Sequence, residues 1–338
     1  MSVPPRLRRP EADISPVERL HALVEPDMRA TDVLIHERLA SAVALIPDLA
    51  KHLIDSGGKR LRPLLTLATA QMGGYTGQHH AKLAAAVEFI HTATLLHDDV
   101  VDESSLRRGK VSANIVWGNQ ASVLVGDFLL SRAFELMVET GELNVLAILS
   151  RASAVISEGE VMQLKSAGNL SVNEEHYLRV VSAKTAELFA AAAEVGAVIA
   201  CGRGAFADAL RDYGQNLGIA FELVDDALDY SGRQALMGKS VGDDFRESKV
   251  TLPVILAVAR ADETARKFWN RTIETGPQGE ADLDRAITLV EATGAIADTM
   301  ERARGYARLA CRTLERVPPS PMRDVLADVA DFCVERAY

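Results

Sequence analysis

Two copies of one acidic motif are the residues in this sequence that most clearly require a chemical explanation. Residues 98–102 read Asp-Asp-Val-Val-Asp and residues 225–229 read Asp-Asp-Ala-Leu-Asp, which we call the first and second acidic motifs. On an α-helix, the first and last aspartates of each motif would point to the same side. A solvated acidic face explains one such motif, but two copies within apolar segments indicate carboxylates that bind a cation.

The type of ligand in these motifs indicates the kind of cation. Oxygen ligands with no His or Cys at metal-binding spacing favour a hard divalent ion, and Mg²⁺ typically binds a few carboxylates together with substrate phosphates. Two facing aspartate clusters therefore predict a diphosphate held between them through Mg²⁺. A di-iron helical bundle is the alternative, but it needs Glu-x-x-His pairs, and none occurs in the sequence near either motif.

Basic residues are also clustered as diphosphate binding would require. One cluster follows Gly57 and Gly58, and the other follows the first acidic motif by about one turn. One guanidinium group can bind two phosphate oxygens at once. Each cluster alone is also compatible with a solvated surface. His91 lies on the helix face of Asp98, nearly two turns earlier, but a lone histidine is more often structural. The basic residues of the two clusters are Lys59, Arg60, Arg62, Arg107 and Arg108.

The elements that must position these residues are predicted to be helices. Apolar residues recur at intervals of three and four, Ala and Leu dominate, and alternating runs bounded by hairpin turns do not occur. The sequence therefore predicts an all-α fold, a single large helical bundle. Two apolar stripes carry this prediction, one of Val33, Leu34, Leu39, Val43 and Ile46, and one of Leu83, Val87, Ile90, Thr94 and Val101.

The chain is expected to form one domain after a short tail. Residues 1–16 are rich in proline and arginine without helical periodicity, so we expect a flexible tail. A transit peptide is the alternative, but Glu11 and Asp13 do not suit an acid-poor targeting segment. Residues 17–338 would then be one all-α domain, with a smaller helical part after about residue 260.

Composition excludes several classes of protein. With 338 residues, 48% of them hydrophobic, the chain can bury a full core, and its net charge of −10 disfavours nucleic acid as a partner. Three distant cysteines indicate reduced thiols rather than a disulfide framework or a zinc site. Apolar stretches are too short to be transmembrane segments and no signal peptide opens the chain, so we expect a soluble, cytoplasmic protein.

Taken together, the motifs resemble the trans-isoprenyl diphosphate synthases, or polyprenyl synthases, from about residue 30 to 335. The landmarks, in order, are GGKRLRP at 57–63, LLHDDVVDESSLRRG at 95–109, GD at 126–127, EGEVMQL at 158–164, KTA at 184–186, FELVDDALD at 221–229 and GKSVGDDFRESK at 238–249. The resemblance implies an isoprenoid synthase bundle with a central cavity. It also implies a Mg²⁺-dependent, homodimeric enzyme that repeatedly condenses isopentenyl diphosphate with an allylic diphosphate into an all-trans chain.

The resemblance further implies roles for individual residues. The metal ligands would be Asp98, Asp102 and Asp225, and the supporting catalytic residues would be Asp99, Asp226, Asp229 and Lys184. Isopentenyl diphosphate would be held by Lys59, Arg62, His91 and Arg108 with help from Arg60, and the allylic diphosphate by Arg107, Lys184, Thr185, Lys239 and Lys249. Family members usually carry Gln at position 222, so Glu222 adds a negative charge that could either steady or trap the allylic cation.

Chain length is expected to depend on space below the first acidic motif. In the family, aromatics four or five residues before the first aspartate stop growth early, and here those positions are Thr94 and Ala93. The resemblance of residues 84–126 to long-chain members also favours products of about octaprenyl to decaprenyl length for a quinone side chain. Such a product would bring the enzyme into transient membrane contact at release. Candidates for the floor of the tunnel are Phe89, Phe128, Phe134 and Met137.

Three other functions are left open by this reasoning. A short-chain farnesyl or geranylgeranyl diphosphate synthase would use the same chemistry. A non-catalytic regulatory subunit of a heteromeric synthase should have lost aspartates, whereas all six are present. A terpene cyclase would have no use for the isopentenyl diphosphate residues.

Overall fold

The computed structural model describes residues 14–55, 57–107, 109–231 and 241–335. Most of the tail predicted for residues 1–16 lies outside these ranges, as do Arg108 and Lys239. Of the tail, Ser15 caps the first helix and Pro16 is its first residue, so the helical chain begins slightly earlier than predicted.

The first half of the chain is helical apart from one small hairpin. The stripe from Val33 to Ile46 was wrongly predicted to be one helical face: the helix ends at Arg38, and Val33 and Val43 are exposed. The Ser41 hydroxyl accepts the amide of Val43, and such a local turn competes with helix continuation. The elements are α1 (Pro16–Leu23), α2 (Glu25–Arg38), α3 (Leu45–Ile54), α4 (Leu61–Met72), α5 (His79–Val101), β1 (Leu106–Arg107), β2 (Lys110–Val111), α6 (Ala113–Trp117), α7 (Asn119–Val138) and α8 (Leu143–Ser166).

The second half adds the helices that complete the bundle. Among residues 109–231 and 241–335, two π-helical turns, Ser182–Ala186 and Asn270–Thr275, interrupt the α-helical pattern. The helices are α9 (Glu174–Val181), α10 (Glu187–Cys201), α11 (Ala205–Asp229), α12 (Asp243–Arg246), α13 (Leu252–Ala259), α14 (Glu263–Trp269), α15 (Asp282–Ala292), α16 (Ala295–Leu314) and α17 (Pro321–Glu335). The prediction of an all-α fold is therefore confirmed; β1 and β2, the strands in the described part of the chain, are two residues long each.

Helix α10 lies at the centre of the bundle. It is buried continuously from Leu188 to Val198, as expected for a helix that is surrounded by others. It packs between α4 and α11, and a Cβ atom at Gly196 would lie 2.1 Å from the carbonyl oxygen of Thr66, so only glycine permits this approach to α4. Around this centre, α5 packs against α7, and α11 against α16.

Two hydrophobic clusters form the core, and α11 joins them. The larger cluster contains α4, α5, α7, α10 and the first half of α11, and α17 closes it. The smaller contains the second half of α11 with α13 and α16. No helix within the described residues is both long and apolar enough to cross a membrane.

Candidate active site

A cavity of about 480 Å³ brings the two acidic motifs together. Asp98 and Asp102 line it from the end of α5, and Asp225 lines it from the last turns of α11. Asp226 and Asp229 are also on its wall. The two motifs, predicted to face each other, thus lie on different helices that line the same cavity.

Two lysines lie beside the first acidic motif. Lys249 Nζ is 2.8 Å from an Asp102 carboxylate oxygen, and Lys184 Nζ is 4.0 Å from one of Asp98. Both lysines are largely buried, and the surrounding carboxylates raise the pKa of each against the effect of burial. The lysines predicted to bind the allylic diphosphate therefore lie where the first motif needs positive charge.

Asp99 differs from its neighbours because it does not line the cavity. It is 0% exposed, and Nε and Nη2 of Arg107 lie 2.8 and 2.5 Å from its Oδ1. The side-chain amide of Asn114 donates to its main-chain carbonyl. Burial raises the pKa of Asp99, while Arg107 opposes this shift. Asp99 thus holds Arg107, which itself lines the cavity.

In the second motif, the last two aspartates are hydrogen-bonded to neighbouring groups. The buried Tyr177 hydroxyl donates to Asp226, and three consecutive backbone amides, of residues 242–244, donate to Asp229. Burial raises the pKa values of Asp226 and Asp244, and nearby carboxylates shift them further in the same direction. This half of the cavity therefore concentrates carboxyl groups, and the raised pKa values favour the protonated forms of Asp226 and Asp244.

Lys184 lies on the π-helical turn between α9 and α10 and is held by α8. Its Nζ donates to Glu160 at 2.8 Å and to Gln163 at 2.6 Å. Burial, aided by the charge of Asp98, raises the pKa of Glu160 to about 7. Gly159 allows α8 to approach the π-helical turn this closely, since a Cβ atom there would lie 2.6 Å from the backbone nitrogen of Lys184. Sequence reasoning missed these three α8 residues, although the EGEVMQL motif contains them at helical spacing.

A second basic group lies at the start of α4. The Arg62 guanidinium lies 4.2 Å above the ring of Phe189, and its Nη1 is 3.3 Å from His91 Nε2. Lys59 also lines the cavity. Arg60 was predicted to assist these residues; it lines the cavity, but its guanidinium pairs with Asp32 of α2.

The remaining predicted residues divide between cavity and core. Thr185 and Glu222 line the cavity, as does Glu88, a buried carboxylate that sequence reasoning missed. Thr94 is on the wall, whereas Ala93 is 2% exposed and belongs to the main core cluster. Ala93 is thus turned about 100° from Thr94 on α5 and does not line this cavity.

The candidates for the tunnel floor also differ in environment. Phe89 and Met137 are completely buried in the main core, and Phe128 packs against it. Phe134 instead projects outward from α7 and is 37% exposed.

The donor groups suit a hard divalent cation. Asp98, Asp102 and Asp225 are carboxylates that face one cavity, and the ammonium groups beside the first motif show that it favours cations. Within the described residues, no three His, Cys, Asp or Glu side chains converge as a ready metal cage. This is compatible with Mg²⁺, which commonly binds through a few carboxylates and completes its coordination with substrate phosphates.

Comparison with known proteins agrees with this site. Residues 43–290 match the family described as Polyprenyl synthetase. The chain is 42% identical to the octaprenyl diphosphate synthase of Escherichia coli (strain K12), over 95% of this chain and 99% of that protein.

Solved structures extend the likeness to the whole bundle. A polyprenyl synthase from Caulobacter crescentus CB15, complexed with calcium and isoprenyl diphosphate, has a TM-score of 0.93 and 55% identity, over 95% of this chain and 98% of that one. A decaprenyl diphosphate synthase from Rhodobacter capsulatus has a TM-score of 0.91 and 53% identity, over 95% and 99% of the two chains. The resemblance identified from the motifs is confirmed, and the chain belongs to the polyprenyl synthetase family.

Proposed function

We propose that this protein is a Mg²⁺-dependent trans-polyprenyl diphosphate synthase that extends an allylic diphosphate with isopentenyl diphosphate to about octaprenyl to decaprenyl length. The observation that carries this proposal is the arrangement of one cavity with two acidic motifs and two separate basic groups. The long-chain relatives described above support the product class.

The residues that line the cavity form two groups, and each group binds the diphosphate of one substrate. Bound through Asp98, Asp102 and Asp225, Mg²⁺ would supply Lewis acid stabilisation of the departing diphosphate. The group that binds the allylic diphosphate consists of the cations Arg107, Lys184 and Lys249 and the Thr185 hydroxyl, with Lys239 assigned by resemblance. The group for isopentenyl diphosphate consists of Lys59, Arg62 and His91, with Arg108 assigned in the same way. Negative charge develops on the leaving group, so positioned cations stabilise the transition state more than the ground state.

The apolar part of the cavity protects the reacting carbon. Its walls include Ile156, Leu95, Val181, Phe189 and Phe221. These side chains exclude water from the allylic cation until the double bond of isopentenyl diphosphate attacks. The new carbon–carbon bond replaces the carbon–oxygen bond to the diphosphate, and the proton that is then lost passes to the departing diphosphate, so no side-chain base is required. Glu222, on the same wall, adds negative charge on the Asp225 side.

A single assay tests this function against its alternatives. The purified protein is incubated with farnesyl and isopentenyl diphosphates with and without Mg²⁺, and the dephosphorylated products are separated by chromatography. We expect Mg²⁺-dependent long chains, and a loss of several powers of ten in turnover for Asp98→Asn and Asp225→Asn. Products that stop after one or two additions would indicate a short-chain synthase, and absence of turnover a regulatory subunit.

We also propose that the enzyme is a cytoplasmic homodimer that supplies a quinone side chain. The dimer is supported by an exposed apolar face on α7, where Leu124 is 66% exposed and Val138 and Phe134 lie on the same side. Light scattering after size-exclusion chromatography should give twice the chain mass of 36.5 kDa for the native protein and a smaller mass for Leu124→Lys.

A further inference from the structure

Asp229 has hydrogen-bond partners unlike those of a metal ligand. Its Oδ1 accepts the amides of Gly242 at 3.2 Å and Asp243 at 3.3 Å, and its Oδ2 accepts the amide of Asp244 at 3.1 Å. Its main-chain carbonyl accepts the amide of Gly242 as well. The side chain is almost completely buried. Both carboxylate oxygens are therefore bonded to the backbone of a segment that lies 13 to 15 residues further along the chain.

This segment, residues 241–249, which we call the lysine arm, places Lys249 in the site. The last two of the three amides are those of the first residues of α12, after which the arm turns, with the Lys249 amide donating to the Asp244 carbonyl at 2.8 Å. Its far end is held by the Gly168 amide, which donates to the Ser248 carbonyl. Lys249 then reaches back across the cavity to Asp102.

Asp229 thus anchors the near end of the arm at the second acidic motif, while Lys249 contacts the first motif from the other end. A carboxylate that accepts several backbone amides fixes the direction of the chain at that point. Without this anchor, the amides of residues 242–244 would lose a buried acceptor, which is costly and would favour another arm position.

We propose that Asp229 is a positioning residue that folds the lysine arm and thereby places Lys249 at the allylic diphosphate, and that it does not ligate the metal. The proposal rests on the proposed function for the identity of the substrate, but the folding of the arm can be measured without substrate or metal. The third aspartate of the second motif would then differ in role from Asp225, its partner at the start of the motif.

The test compares Asp229→Asn with the control variant Asp208→Asn. Asp208 is an exposed aspartate in the first turn of the same helix. Asn is isosteric, but one of its two terminal groups is a donor and cannot accept a backbone amide. In the metal-free protein, we expect amide hydrogen exchange in residues 242–249 to be at least about tenfold faster in Asp229→Asn and unchanged in Asp208→Asn. Unchanged exchange in Asp229→Asn would overturn the proposal.

Kinetics separate positioning from metal binding and from a general loss of structure. Asp229→Asn should raise the KM for the allylic diphosphate by about tenfold, with the KM for isopentenyl diphosphate and the half-saturating Mg²⁺ concentration both within about twofold of native. A Mg²⁺ requirement raised as much as in Asp98→Asn, or equal rises in both KM values, would contradict it.

A double variant tests whether Asp229 acts through Lys249. If it does, Asp229→Asn combined with Lys249→Gln should be no worse than Lys249→Gln alone. Additive losses would mean that Asp229 acts on the reaction independently, and would overturn the proposal. If the native protein shows no prenyl transfer at all, the proposed function fails, while the exchange measurement still decides whether Asp229 folds the arm.

Discussion

Arg107 and Asp99 form an ion pair across the turn that follows α5, with the carboxylate completely buried and both Nε and Nη2 of Arg107 directed at one oxygen. Asp98, the preceding residue, faces the cavity instead. Adjacent aspartates of one motif thus have different environments. We infer that Asp99 stabilises the fold of the turn, whereas Asp98 stabilises the bound substrate.

Asp99→Asn should therefore destabilise the protein, whereas Asp98→Asn should not. Removing one partner of a buried ion pair leaves the other charge uncompensated, and we expect a loss of about 3 kcal/mol in the free energy of unfolding for Asp99→Asn. Urea denaturation of both variants measures this. Equal stability of the two variants would show that the Arg107 pair contributes little to the fold.

Arg62→Ala should weaken isopentenyl diphosphate binding selectively. Arg62 stacks on Phe189 and contacts His91, and it belongs to the basic group assigned to isopentenyl diphosphate, so its loss should raise the KM for that substrate by about tenfold or more. The KM for the allylic substrate should change little. Lys249→Gln is the reciprocal control and should raise the KM for the allylic diphosphate instead. If both variants weaken the binding of both substrates, the basic residues have been assigned to the wrong substrates.

Gly159→Ala should impair the site through Lys184. The added methyl group would lie 2.6 Å from the Lys184 nitrogen and 2.9 Å from its Cα, both backbone atoms that cannot rotate away. The π-helical turn must shift, and Lys184 would leave Glu160 and Gln163. We expect a higher KM for the allylic diphosphate and a loss of about 1 to 3 kcal/mol in stability.

The matched control is Gly305→Ala on α16, where the nearest atom to the new methyl group is an Arg308 nitrogen 3.9 Å away. This helical position should gain up to about 1 kcal/mol, because alanine has the higher helix propensity. Steady-state kinetics and thermal unfolding of both variants test the comparison, and a Gly159→Ala enzyme with native kinetics would show that α8 does not set the position of Lys184.

Glu139 should make stability depend on pH in the acid range. Hydrogen bonds from Arg38 and Lys82 lower its pKa to about 2, and the ion pairs join α2 and α5 to the end of α7. A lowered pKa means that the contribution to stability is fully present above the ordinary glutamate pKa of 4.5 and is lost as the pH falls towards 2. Glu139→Gln should cost about 1 kcal/mol at pH 7, since the group is partly exposed, and progressively less below about pH 4.5.

Urea denaturation across this pH range measures the difference between Glu139→Gln and the native protein. Glu263→Gln is the control, since this carboxylate is 84% exposed in its pair with Lys267, and its effect should be small at every pH. A constant penalty for Glu139→Gln from pH 7 to 3 would contradict the assignment.

Periodicity and composition predict the helical class and the meeting of the two acidic motifs, because both depend on local spacing and on apolar burial. They do not predict which neighbour of a pair faces the cavity. Asp98 and Asp99, like Thr94 and Ala93, differ by about 100° of rotation, and the outcome depends on packing against distant elements. The partners of Asp229 come from a segment beyond the end of its own helix, which no local pattern could indicate.

Thr94 should be the residue of α5 at which product length can be shortened. It lies on the cavity wall, its hydroxyl donates to the His91 carbonyl one turn earlier, and its neighbour Ala93 is packed in the core. A phenylalanine at position 94 would project into the cavity, a space that accepts a ring at less cost than a close-packed core does. Thr94→Phe should keep Mg²⁺-dependent condensation but release chains of roughly three or four isoprene units, given the helix rise of about 1.5 Å per residue.

Ala93→Phe is the matched comparison, because it adds the same ring one residue away. Overpacking the core between α5 and its neighbours should cost about 1 to 3 kcal/mol in stability, with little change in the length of the product made by the folded fraction. Chromatography of the dephosphorylated products, with thermal unfolding of each variant, separates the two effects. If Ala93→Phe shortens the product and Thr94→Phe does not, the growing chain passes on the Ala93 side of α5, and the core there must open when substrate binds.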